Sequence, residues 1–289
     1  MKIFKYFLQF TMVSSLFITF KIVGLQNASF MGSLLAKIFG PLFRSKKIIE
    51  KNLNICFKNI EQKEIKRISL GMWDNIGRTF SEYAFLKNFQ KNHNNLIKLH
   101  GAEYLDEIKN KNKPVVFISG HLSNFELLGT KLNRYGIRFC AIYRPLNNIF
   151  LNPILEYLRL KYICPIMIKK GRANIRELLN NIKNGYSVII IADQRTSEGE
   201  KIEFFNYPAL TSTMPAQISL KYNYKIVPLH MKRLSYNNFE MTVYKPFEYN
   251  KTDSYEKDTR NLTLEINKQL EKMILKKPEQ WLWSHNRWK

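Results

Sequence analysis

A histidine and a glutamate lie five residues apart in the segment His121-Leu-Ser-Asn-Phe-Glu126. The segment follows Pro114-Val-Val-Phe-Ile-Ser-Gly120, a run typical of a buried strand, so both side chains fall where a strand turns into a helix. Such a junction can hold an imidazole at the mouth of a pocket with a carboxylate behind it. This pair of groups can deprotonate a hydroxyl for acyl transfer.

The same residues also have a purely structural interpretation. Ser123-x-x-Glu126 has the pattern of a capping box, with serine at the N-cap and glutamate three residues later. A carboxylate in the first turn also interacts favourably with the helix dipole. Capping does not require His121, however, so this interpretation leaves the histidine unexplained.

The charge of the chain predicts an anionic partner. Its 289 residues include 46 lysines and arginines against 23 acidic residues, a formal net charge of +23. Nucleic acid would be one such partner, but the chain has no zinc-finger spacing, no basic-region heptads and no aromatic RNA-binding signature. Because 45% of the residues are hydrophobic, an anionic membrane explains the charge better.

Cysteine usage and missing motifs narrow the function classes further. Cys56, Cys140 and Cys164 are far apart and form no C-x-x-C pair, which disfavours a disulfide framework and a zinc site. The sequence contains no P-loop, no G-x-G-x-x-G and no H-E-x-x-H. Nucleotide-binding and zinc-hydrolase functions are therefore disfavoured.

The N-terminus predicts a membrane anchor. Residues 6–20 carry no charge, Lys2 and Lys5 precede them, and Lys21 interrupts the apolar run before Ile22 to Leu25. A spanning helix needs about 20 mostly apolar residues, so this stretch is marginal. A cleaved signal peptide is the alternative, but no convincing cleavage site follows. We expect an uncleaved anchor in residues 1–30, with the basic body on the cytoplasmic side.

The remaining chain, residues 31–289, is predicted to form a single domain, with Ser33 to Phe43 as a second apolar helix. Four apolar runs predict buried strands: Pro114 to Ser119, Arg138 to Tyr143, Ser187 to Ala192, and Lys225 to His230. Helical patterns separate them, and the clearest, Ile175 to Ile182, ends with Gly185 as the expected C′ residue. This alternation predicts an α/β sheet covered on both faces.

Three polar residues each follow a predicted strand: His121, Arg144 and Asp193. Ligands of open α/β sheets bind beyond the carboxyl ends of the strands. We therefore expect these three side chains to converge on one rim of the sheet, as a functional site would require.

In the order and spacing of its sequence motifs, the chain resembles the bacterial lipid A biosynthesis acyltransferases, which are the late lauroyl/myristoyl transferases of the lysophospholipid acyltransferase superfamily. The resemblance covers nearly the whole chain. The matching blocks are Met72 to Thr79, His121 with Glu126 as H-x-x-x-x-[DE], Tyr143-Arg144-Pro145, Arg159 fifteen residues after Arg144, Ala192-Asp193-Gln194, Phe204 to Ala209, Val227-Pro228, and Pro278 to Arg287. The chain departs from the family at Asn148-Ile149, where Asn-Pro is usual, and at Asn206, where glycine is usual.

The resemblance implies a glycerol-phosphate-acyltransferase-like fold, which is a mixed, mostly buried central sheet flanked by helices, with an N-terminal membrane-anchoring helix. It also implies that His121 is the general base and that Glu126 orients the imidazole and stabilises its cation. The base would take the proton of a fatty-acyl β-hydroxyl as that oxygen attacks a thioester. This mechanism requires no metal and no bound cofactor.

The other matched residues receive substrate-binding roles by the same resemblance. Arg144 and Arg159 bind acceptor phosphates or stabilise the thioester oxyanion, unless they are a solvated basic face. Asp193 and Gln194 position the acceptor sugar or orient an arginine, unless they cap the strand. Asn124 supports the oxyanion or completes the turn. The tryptophans near the C-terminus are core aromatics or lie at headgroup depth.

The implied reaction transfers an acyl chain from acyl-acyl carrier protein to a phosphorylated, Kdo-lipid IVA-like lipid A precursor at the bacterial inner membrane. Basic surface would attract the acidic carrier, the acceptor and anionic lipid. Two alternatives stay open. A lysophosphatidate or glycerol-phosphate acyltransferase would normally carry Glu-Gly-Thr where this chain has Gln194-Arg195-Thr196. A non-catalytic membrane lipid-binding protein would not need the His121/Glu126 pair.

Overall fold

The computed structural model describes residues 2–43 and 46–289, so Met1 of the predicted anchor, together with Arg44 and Ser45, lies outside the described residues. The strands of this part are Ile97–His100 (β1), Val115–Ser119 (β2), Phe139–Tyr143 (β3), Met167–Lys169 (β4), Ser187–Ile191 (β5), Glu200–Phe204 (β6), Tyr207–Thr211 (β7), Lys225–Ser235 (β8) and Asn238–Val243 (β9). Among the described residues, seven strands form one sheet in the order β1-β9-β8-β2-β5-β3-β4. Only β8 and β9 pair antiparallel in it, and β6 and β7 form a separate hairpin.

The helices flank this sheet. Their bounds are Lys2–Phe43 (α1), Lys46–Cys56 (α2), Gln62–Glu82 (α3), Leu86–Lys91 (α4), His93–Leu96 (α5), Ala102–Asn110 (α6), Glu126–Tyr135 (α7), Leu151–Tyr162 (α8), Ile175–Lys183 (α9), Met214–Tyr222 (α10) and Tyr255–Lys276 (α11). The predicted fold class, a mostly parallel sheet between helices, is confirmed.

Strand β2 shows why the predicted strands are apolar throughout. All five of its residues are buried. Val116 and Ile118 join the core under α3 and α11, whereas Val115 and Phe117 join the opposite core under α4 and α7. Successive side chains point to opposite faces, so a strand with helices on both faces must be apolar at every position.

The four predicted strands are confirmed as β2, β3, β5 and β8, with β8 continuing five residues beyond its predicted end at His230. The predicted end of α9 is also confirmed. Gly185 has φ +75°, its N–H donates to Ile182 O at 3.0 Å, and the next N–H donates to Asn181 O at 3.0 Å. These two bonds form a Schellman motif, in which glycine relieves the steric cost of a positive φ.

Helix α1 contains a break at Gly24, where φ is 81° and ψ is 166°. The second apolar helix was expected to begin at Ser33, but helical backbone already resumes at Leu25, directly after this break. It packs on α3 so closely that a Cβ on Gly32 would lie 2.3 Å from the carbonyl oxygen of Gly77. By length and composition, Lys2–Leu42 could cross a membrane.

Candidate active site

The pairing of β2 with β5 places His121 beside Asp193. Ser119 lies opposite Ile191 in the parallel register, so His121 and Asp193 each come two residues after this pair. His121 Nδ1 lies 2.7 Å from Asp193 Oδ1. The backbone N–H of His121 also donates to Asp193 Oδ2 at 2.8 Å. The carboxylate therefore fixes both the ring and the backbone of the histidine.

Asp193 is almost fully buried, and its surroundings keep it ionised. Trp281 Nε1 donates to Oδ2 at 2.7 Å, and the absence of a side chain at Gly120 leaves room for the carboxylate. Burial alone would raise the pKa of Asp193. The charge of His121 and the hydrogen bonds from His121 and Trp281 outweigh burial and lower that pKa to about 2.

An ionised carboxylate only accepts hydrogen bonds, so Nδ1 of His121 must carry the proton. Nε2 then has a free lone pair, as a general base requires. The side chain of His121 keeps 23% of its accessible surface, so solvent or a substrate can reach the imidazole. The pair thus combines a shielded carboxylate with a reachable basic nitrogen.

Glu126 has different partners from the one predicted. It begins α7, and its carboxylate accepts hydrogen bonds from Arg159 Nε at 3.1 and 3.2 Å, from Arg159 Nη2 and from the hydroxyl of Tyr83. The imidazole partner in the structure is therefore Asp193 and not Glu126. The first turn of α7 directs the carboxylate to α8 and the end of α3.

The capping box expected as the structural alternative is not formed. Ser123 has φ +53°, a strained value for a residue other than glycine, and its hydroxyl has no hydrogen-bond partner within the described chain. Instead, its N–H donates to Gln280 O at 2.8 Å, and its carbonyl accepts from Asn75 Nδ2 at 3.2 Å. The loop conformation is therefore held by α3 and the C-terminal segment, as strained active-site loops often are.

Arg159 is mostly buried in an ion pair and does not belong to a solvated basic face. Burial alone would lower its pKa, but Glu126 and Tyr83 raise that pKa above its ordinary value. The hydroxyl of Tyr83, whose pKa burial and Glu126 raise, donates to Glu126 and accepts from Arg159 Nη2 at 3.1 Å. Tyr83 was not predicted from the sequence. In the sequence it follows Ile76 and Phe80 at helical spacing, a pattern that by itself is typical of core packing.

A pocket of about 680 Å³ joins these groups, with walls that include Tyr83, His121, Glu126, Arg159 and Trp281. Two apolar cavities share residues with it. One of about 470 Å³ shares Glu126 and Arg159 and extends under β3 and α7. The other, of about 880 Å³, shares Tyr83 and Arg159 and lies between α1 and α8. These volumes include space open to solvent. The cavity between α1 and α8 has an almost entirely apolar lining, which suits a hydrocarbon chain.

The structure does not bring all of the other predicted site residues to the pocket. Arg144 is exposed at the end of β3 and does not line the 680 Å³ pocket. Gln194 is partly buried next to Asp193. Asn124 is buried, and its Nδ2 donates to Glu82 Oε2 at 2.8 Å, so it contributes to the support of the loop. Within residues 2–43 and 46–289, no group of three or more histidine, cysteine or acidic side chains could hold a metal ion.

A buried ion pair under the loop was not predicted. Glu82 is fully buried at the end of α3 and pairs with Arg233 of β8, including an Nη2 to Oε2 contact of 3.1 Å. Arg233 Nε also donates to Asn75 Oδ1 at 3.2 Å. No local pattern marks these two charges as buried, since they lie 151 residues apart in the chain. The pair joins α3 to the sheet beneath the loop of residues 120–125.

The C-terminal tryptophans Trp281, Trp283 and Trp288 are buried core residues, which confirms the default interpretation. Trp281 forms an isolated bridge with Leu122 besides its bond to Asp193. The geometry around Asp193 therefore depends on Trp281 as well as on the sheet.

The family model described as bacterial lipid A biosynthesis acyltransferase matches residues 1–289 of this chain. The chain is similar to the lipid A biosynthesis palmitoleoyltransferase of Escherichia coli (strain K12), with 23% identity over 270 residues, covering 90% of this chain and 84% of that protein. It is also similar, with the same identity and coverage, to the lipid A biosynthesis acyltransferase of Shigella flexneri.

Proposed function

Because the chain belongs to the bacterial lipid A biosynthesis acyltransferases, we propose that it transfers a fatty acyl chain from acyl-acyl carrier protein to a lipid A precursor. The acceptor group is the β-hydroxyl of a primary acyl chain on a phosphorylated, Kdo-lipid IVA-like molecule. The observation that carries the proposal is the His121–Asp193 pair at the edge of a pocket that adjoins two apolar cavities.

In the proposed reaction, Nε2 of His121 takes the proton of the acceptor hydroxyl as its oxygen attacks the thioester carbonyl. Asp193 holds Nδ1–H and stabilises the imidazolium that forms. The tetrahedral intermediate then expels the carrier thiolate, which takes the proton from the imidazolium. The ester bond forms, the thioester bond breaks, and His121 returns to its starting state. These steps use only side chains of this protein.

Glu126 acts in this proposal through Arg159. The carboxylate and Tyr83 fix the guanidinium at the pocket wall, where it stabilises the thioester oxyanion or binds an acceptor phosphate. Arg144 and Gln194 contact the acceptor from the same edge of the sheet. Asn124 supports these groups by fixing the loop through Glu82.

We place the protein at the bacterial inner membrane with the catalytic domain on the cytoplasmic side. The apolar helix α1 supports membrane attachment, and the formal charge of +23 suits anionic lipid and an acidic carrier protein. The cytoplasmic side is where acyl carrier protein is available as a donor.

The test is an acylation assay with purified protein, acyl-acyl carrier protein and the lipid A precursor, followed by mass spectrometry. His121→Ala should lower kcat by about 10²–10⁴-fold, the usual contribution of a general base. His100→Ala is the matched control, since His100 is exposed and lies on the surface in an ion pair with Glu240. Its activity should equal that of the unaltered protein.

Three outcomes would contradict the proposal in different ways. Undiminished transfer by a folded His121→Ala variant would remove His121 as the base. Acylation of lysophosphatidate or glycerol phosphate, but not of the lipid A precursor, would identify a phospholipid acyltransferase. Binding of the precursor without turnover by any donor would indicate a lipid-binding protein.

A further inference from the structure

The first half of α1 is apolar around most of its circumference. Phe4, Leu8, Ile18 and Ile22 are more than half exposed. Between Lys2 and the break at Gly24 the helix is roughly 33 Å long, at about 1.5 Å per residue. Length alone would allow this segment to cross the hydrocarbon core of a bilayer.

The body of the protein nevertheless contacts the beginning of this helix. Asn148 Nδ2 donates to Tyr6 O at 2.9 Å and lies 3.2 Å from Gln9 Oε1. The ring of Phe150 lies edge-on to Phe7, with centroids 5.8 Å apart. These contacts come from the loop between β3 and α8, which also leads out of the active site.

The body also contacts the other end of the same segment. Phe17 and Phe20 pack on Phe80 of α3, with centroids 5.3 and 6.3 Å apart. Lys21 Nζ lies 4.8 Å from the ring centroid of Phe85. One stripe of the helix therefore contacts the folded body near both ends of the segment, and the opposite stripe is exposed.

A bilayer-spanning α1 would draw the loop of residues 144–150 through the hydrocarbon with it. That loop has irregular backbone and exposed polar side chains at Arg144 and Asn147. Hydrocarbon excludes lipid-exposed irregular backbone and makes such charges costly. We infer that α1 lies in the plane of one membrane leaflet rather than crossing the bilayer, and that α8 and its preceding loop lie beside it at the headgroup–acyl boundary, where Arg144 and Asn147 reach the headgroups.

Helix α8 has the surface that this arrangement needs. None of its twelve residues, all of them described, is buried. Ile154, Tyr157 and Leu160 are exposed at helical spacing, and the preceding loop adds Leu146 and Ile149. An apolar face of this size on a soluble surface marks an interaction site.

The occupant of this surface is the headgroup–acyl boundary of an anionic leaflet. The cavity of about 880 Å³ between α1 and α8 is lined by apolar residues of both helices, so their apolar surfaces join there. Lysines lie at both ends of the α1 segment, with Lys2 and Lys5 at one end and Lys21 at the other, and α8 carries Lys161. An apolar face edged by lysines is the pattern of helices that lie in the interface plane of anionic membranes.

This inference rests on the membrane location proposed above, and a labelling experiment separates the two. In a Cys56→Ser background, the remaining Cys140 and Cys164 are fully buried. Lys2→Cys or Lys289→Cys, both at exposed positions, is then treated with a membrane-impermeant maleimide in intact spheroplasts and in inverted vesicles. We expect both cysteines to react in inverted vesicles only.

The outcomes are distinct. Labelling of Lys2→Cys in spheroplasts and of Lys289→Cys in inverted vesicles would mean that α1 crosses the bilayer, and it would overturn this inference while leaving the location intact. Recovery of the protein in the soluble fraction would contradict the location itself.

The contribution of α8 is tested separately with the purified full chain and vesicles of anionic phospholipid. Leu160→Lys should lower the vesicle partition coefficient by about tenfold, the equivalent of one buried leucine side chain. Leu275→Lys, on an equally exposed leucine of α11, should leave it unchanged. Equal partitioning of the two variants, with unfolding midpoints in detergent like that of the unaltered protein, would remove α8 from the membrane surface.

Discussion

Asp193 decides which nitrogen of His121 carries the proton, and this makes a specific mutational prediction. In Asp193→Asn the amide can donate to Nδ1, which favours the tautomer with its proton on Nε2, the wrong one for a base. We expect kcat to fall by about 10³–10⁴-fold with little change in KM, because the fold and pocket persist while the base is lost. Steady-state kinetics with acyl-acyl carrier protein and lipid A precursor provide the measurement.

Asp253→Asn is the control for this substitution, since Asp253 is exposed in the loop before α11. Its kcat and KM should equal those of the unaltered protein. If Asp193→Asn instead kept the kcat of the unaltered protein, the tautomer would not depend on Asp193, and Glu126 would again be the candidate partner of the imidazole.

At the level of single residues, motif, strand position and the family resemblance selected His121, Glu126, Arg159 and Asp193 as candidates, and the structure brings them to one region. The pairing among them was not predictable in the same way. Glu126 is five residues from His121, whereas Asp193 is 72 residues away and becomes its neighbour only because β5 inserts next to β2. Sheet order is a tertiary property that single-strand patterns do not encode.

Among the elements, α3 and β8 together support the loop of residues 120–125, because Glu82 pairs with Arg233 and accepts a hydrogen bond from Asn124. Glu82→Gln would leave Arg233 buried with no carboxylate, because the pair is almost completely inaccessible to solvent. Breaking a buried pair costs about 3–5 kcal/mol. We expect a loss of this size in the free energy of unfolding, measured by denaturant titration in detergent.

The same helix offers a matched comparison. Glu64→Gln removes an exposed pair with Arg67 on α3, where solvent screens the charges, and should not change stability measurably. The double variant Glu82→Gln/Arg233→Met should recover part of the loss, since no unpaired buried charge remains. Equal stability of the two single variants would show that the Glu82–Arg233 pair does not hold α3 on the sheet.

Strands β2, β3, β5 and β8 were predictable because each is buried on both faces, which requires a continuous apolar run. The remaining strands lack that signal. β4 has only three residues, and β9 alternates exposed or partly buried with buried positions as an edge-side strand does. The hydropathy of α1 allows a span, and the sequence could not reveal its contacts with Asn148, Phe150 and Phe80, which support the in-plane course inferred above.

For the molecule as a whole, the positive charge that favours anionic partners also affects acid stability. His230 is buried in β8 near Lys276 and Lys232. Burial, followed by the repulsion of these two lysines, lowers the pKa of His230 to about 4, while Glu240 opposes the effect. The folded protein therefore keeps this imidazole neutral at pH values where an unfolded chain protonates it.

The sign of the resulting pH dependence follows from linkage. Above pH about 6.5, the ordinary histidine pKa, both states are neutral at this residue and stability is full. As the pH falls from there toward 4, the unfolded state gains a proton that the folded state does not accept, so the free energy of unfolding decreases by about 3 kcal/mol. His230→Gln should remove this part of the slope in denaturant titrations across that range, whereas His100→Gln, at an exposed position of β1, should retain it. An unchanged slope in His230→Gln would mean that His230 is protonated equally easily in both states, which the burial of its side chain within the sheet argues against.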